Sequence, residues 1–144
     1  MTGLWALLGA VAITAAIGVV LRARNGRVRV PEAASNGREL PGPVRELLVP
    51  GAPVTLVQLS TAFCADCRRT RALLEDLAGR TEGLRHVELD VTDLPEVAAD
   101  LGVLRAPTTL AFDRSGGELL RVGGLPKPDT LIAALRPHLP RPIG

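Results

Sequence analysis

The sequence predicts an α/β domain behind one apolar N-terminal helix, and three observations predict it. Val54–Leu59 is a nearly continuous apolar run, the pattern of a strand buried on both faces of a parallel sheet. Strand-like and helix-like segments then alternate as strand, helix, strand, helix, hairpin, helix. Before them, Gly3–Leu21 runs for 19 residues with no charge and only Thr14 as a polar side chain.

At ~1.5 Å per residue that first run reaches about 28 Å, close to the hydrocarbon thickness of a bilayer. Trp5 near its start suits an interfacial anchor. A signal peptide is the competing reading, but no basic stretch precedes the run and no small-x-small site separates it from the arginines, so residues 1–22 are expected to stay as a transmembrane anchor. Arg22, Arg24, Arg27 and Arg29 follow the span, whereas Met1-Thr2 brings only the terminal amine. Positive charge stays inside, which places the rest of the chain in the cytoplasm of a single-pass membrane protein. In the reverse orientation it would face the extracytoplasmic space. The same arginines suit contact with anionic lipid.

Residues 23–50 are rich in turn signals, Asn25-Gly26, Asn36-Gly37, Pro41-Gly42-Pro43 and Pro50-Gly51, and read as a basic linker. Within it Val44–Leu48 has the look of a short helix and Val28–Val30 of a strand. The domain proper is expected over 51–140, with a tail at 141–144. Beyond the first strand, Leu73, Leu74, Leu77 and Ala78 recur at helical spacing, Arg68, Arg69, Arg71, Glu75 and Asp76 supply a wet side, and Gly79 is a stop signal. Val87 and Leu89 alternate in a second strand, Leu84–Leu89. Asp93-Leu94-Pro95-Glu96 then has capping-box spacing, and Gly102 closes the helix it opens. Thr108–Phe112 and Glu118–Val122 flank Ser115-Gly116-Gly117 as a hairpin. Pro128-Asp129-Thr130 starts a last helix that turns Leu131, Ile132, Leu135 and Leu139 inward and that Pro137 ends early.

Composition excludes several function classes. A formal net charge of only +2, much of the basic charge being juxtamembrane, leaves no nucleic-acid surface. No phosphate-binding glycine loop of the Gly-x-x-x-x-Gly-Lys type is present, and Ser60, Thr61 and Ser115 lack a triad pattern. Lys127 is the only lysine among 17 basic residues, which resembles the coding bias of high-GC bacteria.

Cys64 and Cys67 are the only two cysteines, placed as Phe63-Cys64-Ala65-Asp66-Cys67 between the apolar strand and the first domain helix. Cys64 is thus expected at a helix N-terminus, where free backbone N–H groups and the helix dipole stabilise a thiolate, the species that attacks disulfides. It is the candidate nucleophile. Cys67, one turn later, is the candidate resolving thiol. A zinc site would need four ligands, and only His86 and His138 are on hand; each reads as a surface or packing histidine. A Cu(I) carrier and a scaffold that uses the pair without turnover are the non-enzymatic readings.

With these residues in view the chain resembles the thioredoxin family over roughly Val54–Leu139. Ala106-Pro107-Thr108 is similar to the family's cis-proline loop, Asp113–Glu118 to the turn of its hairpin, and Val122–Leu125 to the glycine segment entering its last helix. The resemblance implies a central mixed sheet flanked by helices and a thiol:disulfide oxidoreductase that exchanges electrons with protein thiols and disulfides, mainly as a reductant, or an extracytoplasmic disulfide reductase or isomerase in the reverse orientation, with an electron donor of unspecified identity and no bound cofactor. It also implies that Phe63, Ala106, Pro107 and Thr108 shape the groove for a substrate strand. Phe63 stands where the family usually has Trp, and Ala65-Asp66 replaces Gly-Pro between the cysteines, a pair that tunes redox poise. Gln58, six residues before Cys64, takes the place of a buried aspartate that assists proton transfer to the resolving thiol, so a general base is missing there. Asp66 should raise the Cys64 pKa, with Arg68 and Arg69 offsetting it, which predicts a milder thiolate than in strongly oxidising relatives.

Overall fold

A computed structural model describes residues 1–31 and 39–141; the expected turn at Asn36-Gly37 lies outside the described residues. α1 (Thr2–Arg24) is a 23-residue helix with no buried residue. Its length and composition suit a membrane span, a test that a signal sequence also passes. The Thr14 hydroxyl donates to the Ala10 carbonyl at 2.9 Å, so the one polar side chain of the apolar run is satisfied within the helix.

Among the described residues five strands form one mixed sheet in the order β1-β5-β4-β2-β3. They are β1 (Val28–Arg29), β2 (Val54–Ser60), β3 (Leu84–Asp90), β4 (Thr108–Phe112) and β5 (Glu118–Gly123). β2 and β3 are parallel; β4 runs antiparallel to β2, β5 to β4, and β1 to β5. All residues of β2 and β4 are buried, as the apolar run of β2 predicts for a strand covered on both faces.

Side-chain alternation along the strands builds a core on each face. On one, Val54, Leu56, Leu84 and Leu120 meet Leu74 and Leu77 of α3 (Ala65–Arg80) and Leu131 and Leu135 of α5 (Pro128–Leu135). On the other, Val57, Leu59, Leu110 and Phe112 meet Val44 of α2 (Gly42–Leu47) and Val97 of α4 (Pro95–Asp100). Each such Leu or Phe contributes about 2 kcal/mol by leaving water. α5 stops at Leu135 and a 3₁₀ turn follows at Arg136–His138, where Pro137 forbids another helical turn.

Within segment 23–50 the strand and the short helix suggested by the sequence are present as β1 and α2, with Val44 fully buried. Two sequence expectations are corrected. Gly79 does not end α3, which continues to Arg80; an Arg80–Asp76 pair at 3.0 Å supports that last turn, and the chain reverses at Gly83, with φ +82°. The Asp93 side chain does not cap α4, because the frame begins one residue later. Leu94 is the N-cap with no side-chain cap bond, Pro95 has no N–H to satisfy, and the Val97 amide is met by the Leu94 carbonyl at 3.1 Å.

Candidate redox-active site

The site is built on the chain's exit from β2. A short loop after Ser60 is fastened to the segment beyond β3 by the Ala62 amide, which donates to Thr92 Oγ1 at 2.9 Å. It delivers Phe63 in the left-handed region, φ +61°, a conformation costing a non-glycine residue roughly 1 kcal/mol. The Phe63 ring is fully exposed. Cys64 follows as the N-cap of α3, and its Sγ accepts the Cys67 amide at 3.1 Å.

Cys64 and Cys67 are joined as a disulfide, with Cα atoms 5.2 Å apart. Their environments differ. Cys64 is half-buried at the amide-rich end of a 16-residue helix, where negative charge is stabilised, while Cys67 is only 3% exposed. Ala65 and Asp66 are exposed. Asp66 leans toward Arg69 at 3.9 Å, and both are open to solvent, so that pair is worth about 0–1 kcal/mol.

Ala106, Pro107 and Thr108 lie beside this loop. The Ala106–Pro107 peptide is cis, and Pro107 leads into β4, whose first residue Thr108 pairs with Leu59 near the end of β2. The two loops therefore leave neighbouring strands at the same end of the sheet. The Pro107 carbonyl accepts the Gly124 amide at 2.8 Å, and Thr108 Oγ1 donates to the Arg105 carbonyl at 2.7 Å. Pro107 and Thr108 are buried and Ala106 is half-buried.

Below the dithiol the sheet is polar. Gln58 is fully buried on the α3 face; its Nε2 donates to the Cys67 carbonyl at 2.8 Å, and its Oε1 lies 3.0 Å from His86 Nε2. His86 must donate there, since an amide oxygen only accepts. Burial pushes the His86 pKa down, and Arg71 adds to this, while Glu75 and Glu88 oppose it. Beside it Glu88 accepts from Ser60 Oγ at 2.7 Å and from Arg71 Nη2 at 2.7 Å, and the Arg71 bond is the main reason its carboxyl is held below the usual range.

His86 is thus the packing histidine the sequence suggested, with a further role that 28 residues of separation concealed. Parity was the available signal. Gln58 and His86 occupy even positions of adjacent strands, and in the observed parallel register these share the α3 face. His138 is exposed.

The thioredoxin family model matches residues 45–137, more than half of the chain. The chain belongs to the thioredoxin family. Thioredoxin of Staphylococcus saprophyticus is 31% identical over 87 residues, which cover 60% of this chain and 83% of that relative. Thioredoxin 1 of Nostoc sp. is 30% identical over 96 residues, 66% of this chain and 88% of the relative. Among solved structures, a mutant thioredoxin from Halobacterium salinarum aligns with a TM-score of 0.55 at 25% identity, covering 62% of this chain and 77% of that chain. α1 and β1 lie outside the family match. Thioredoxin membership and the bonded cysteine pair together support thiol–disulfide oxidoreductase chemistry on protein thiols and disulfides.

Proposed function

We propose that the protein is a membrane-tethered thiol:disulfide oxidoreductase that acts mainly as a reductant of protein disulfides. The observation that carries this reading is the placement of Cys64 as the half-buried N-cap of α3, its sulfur accepting the Cys67 amide, with Cys67 sealed behind it. In the reduced protein the Cys64 thiolate attacks one sulfur of a partner disulfide, forming a mixed disulfide and expelling the other partner sulfur as thiolate. The Cys67 thiolate then attacks Cys64 Sγ, closes the Cys64–Cys67 bond and releases the second partner thiolate. Two electrons pass to the partner, and an external dithiol donor restores the enzyme. Phe63 and the Ala106-Pro107-Thr108 loop form the groove that aligns the partner strand, and Ala65, Asp66 and Gln58 tune the pair.

α1 is the tether. Arg22 and Arg24 in its last turn, followed by Arg27 and Arg29, favour a cytoplasmic domain, where the reducing poise suits net reduction. The test is a trap: Cys67→Ser in the full chain should accumulate mixed disulfides on Cys64 with protein partners, and Cys64→Ser should not. Stoichiometric Cu(I) binding by the reduced chain without dithiol exchange would instead favour a carrier.

A further inference from the structure

The junction between α1 and the sheet fixes which end of the domain meets the membrane. Only Asn25, Gly26 and Arg27 separate α1 from β1, at most about 10 Å of chain. They are not a free tether: the Gly26 amide donates to the Gly123 carbonyl at 2.8 Å, and Arg105 Nη1 donates to Asn25 Oδ1 at 2.7 Å. Gly26 is buried with φ +75°, and a Cβ there would sit 2.5 Å from the Leu125 carbonyl oxygen, so the approach requires glycine.

The register sets the direction. β1 is antiparallel to β5, and Val28 pairs with Val122 at the C-terminal end of β5. That is the end where β4 begins at Thr108, paired with Gly123, and where β2 runs out toward Cys64. α1 therefore joins the sheet at the dithiol end. Three strand spacings across, the lateral offset between β1 and β2 is about 14 Å.

The surface of this end matches a bilayer interface. Among the described residues that follow α1, the exposed large apolar side chains are Val30, Phe63, Leu104 and Leu125, and the last three sit on loops at the dithiol end. Arg24, Arg27, Arg29 and Arg105 line one groove there, with Arg121 in its wall bound to Glu118. Exposed apolar tips flanked by arginines fit a headgroup layer.

We infer that the dithiol end of the sheet faces the membrane surface, so that the partner disulfide is one presented at headgroup level by an integral membrane protein. This rests on the membrane-tethered oxidoreductase reading. The test uses the full chain in vesicles containing anionic lipid. A fluorophore is attached to Cys64 in the Cys67→Ser variant, or to Ser115→Cys at the opposite hairpin end in a chain whose native cysteines are both Ser, and is quenched by nitroxide on the lipid headgroups. Severalfold stronger quenching at position 64 is expected; equal quenching, or stronger quenching at 115, overturns the inference. In the second arm, the reduced wild-type chain is offered a disulfide on a lipid headgroup and the same disulfide in water. Inserting a ten-residue Gly-Ser segment between Arg24 and Asn25 should slow the lipid reaction severalfold and leave the soluble one unchanged. Equal slowing of both, or of neither, overturns it. Failure of the chain to float with vesicles removes the tether and this inference together, and failure to reduce the soluble disulfide removes the oxidoreductase reading. A chain that passes both checks with indifferent quenching overturns the orientation alone.

Discussion

The Gln58 side chain donates to the Cys67 carbonyl at 2.8 Å, tying a fully buried strand of the sheet to the first turn of the helix that carries the dithiol. An amide can hold that geometry but cannot take a proton, and the group behind it, His86, is linked to the dithiol turn through this amide. Gln58→Leu should cost about 1–3 kcal/mol, because it leaves the His86 donor without its acceptor in a half-buried setting. Denaturant unfolding measures this, and an unchanged midpoint would show that the link carries no stability.

His86 should also give stability a specific pH dependence. Its folded pKa lies below its ordinary 6.5, so the native state binds fewer protons than the unfolded chain. Stability is then full above about pH 6.5 and falls as the pH drops from there toward the folded value. Glu88, whose folded pKa is lowered, loses its contribution only at pH values below its ordinary 4.5. His86→Gln should therefore flatten unfolding stability between pH 7.5 and 5.5 relative to wild type. Parallel curves for the two proteins would assign the slope to other groups.

Asp66 is a carboxylate in the first turn of α3, beside the sulfur that must ionise. Asp66→Asn should lower the Cys64 pKa and speed thiolate alkylation at pH 6. The wild-type Cys64 pKa, followed by thiolate absorbance, is expected above about 5. A wild-type value below that would mean the helix end and Arg68 and Arg69 outweigh Asp66.

Phe63 combines a left-handed backbone with a fully exposed ring, so nothing in the fold's core requires its side chain. Phe63→Gly should leave stability within about 1 kcal/mol of wild type, because the relieved backbone is offset by the entropy glycine adds to the unfolded chain. It should slow reduction of protein disulfides severalfold and leave a small soluble disulfide unaffected. Equal slowing of both substrates would move Phe63 from partner binding to tuning of the dithiol.

Much of this was legible in the chain, for identifiable reasons. The continuous apolar run of β2, the helical spacing of Leu74 and Leu77 and the Ser115-Gly116-Gly117 turn are local patterns, and each element formed where it was expected. Cys64 at a helix start was readable because strand, loop and helix are contiguous. The two residues of β1 carry no periodicity, and their place at the β5 edge depends on a pairing 94 residues distant, as Val28 opposite Val122. The Gln58–His86 contact depends on the β2–β3 register, which apolar alternation does not fix. The capping-box spacing misled at Asp93 because a proline at the first helical position and backbone turns had already met the amide needs of α4.

The measurement that tests the central claim most directly is the redox midpoint of the Cys64–Cys67 pair in the full chain, titrated against a dithiol buffer in detergent and read by mass after alkylation. A reversible two-electron transition near about −270 mV is the expected result for a reductant. A midpoint near about −120 mV would make the protein an oxidant, and the absence of a reversible transition at any poise would contradict thiol–disulfide exchange altogether.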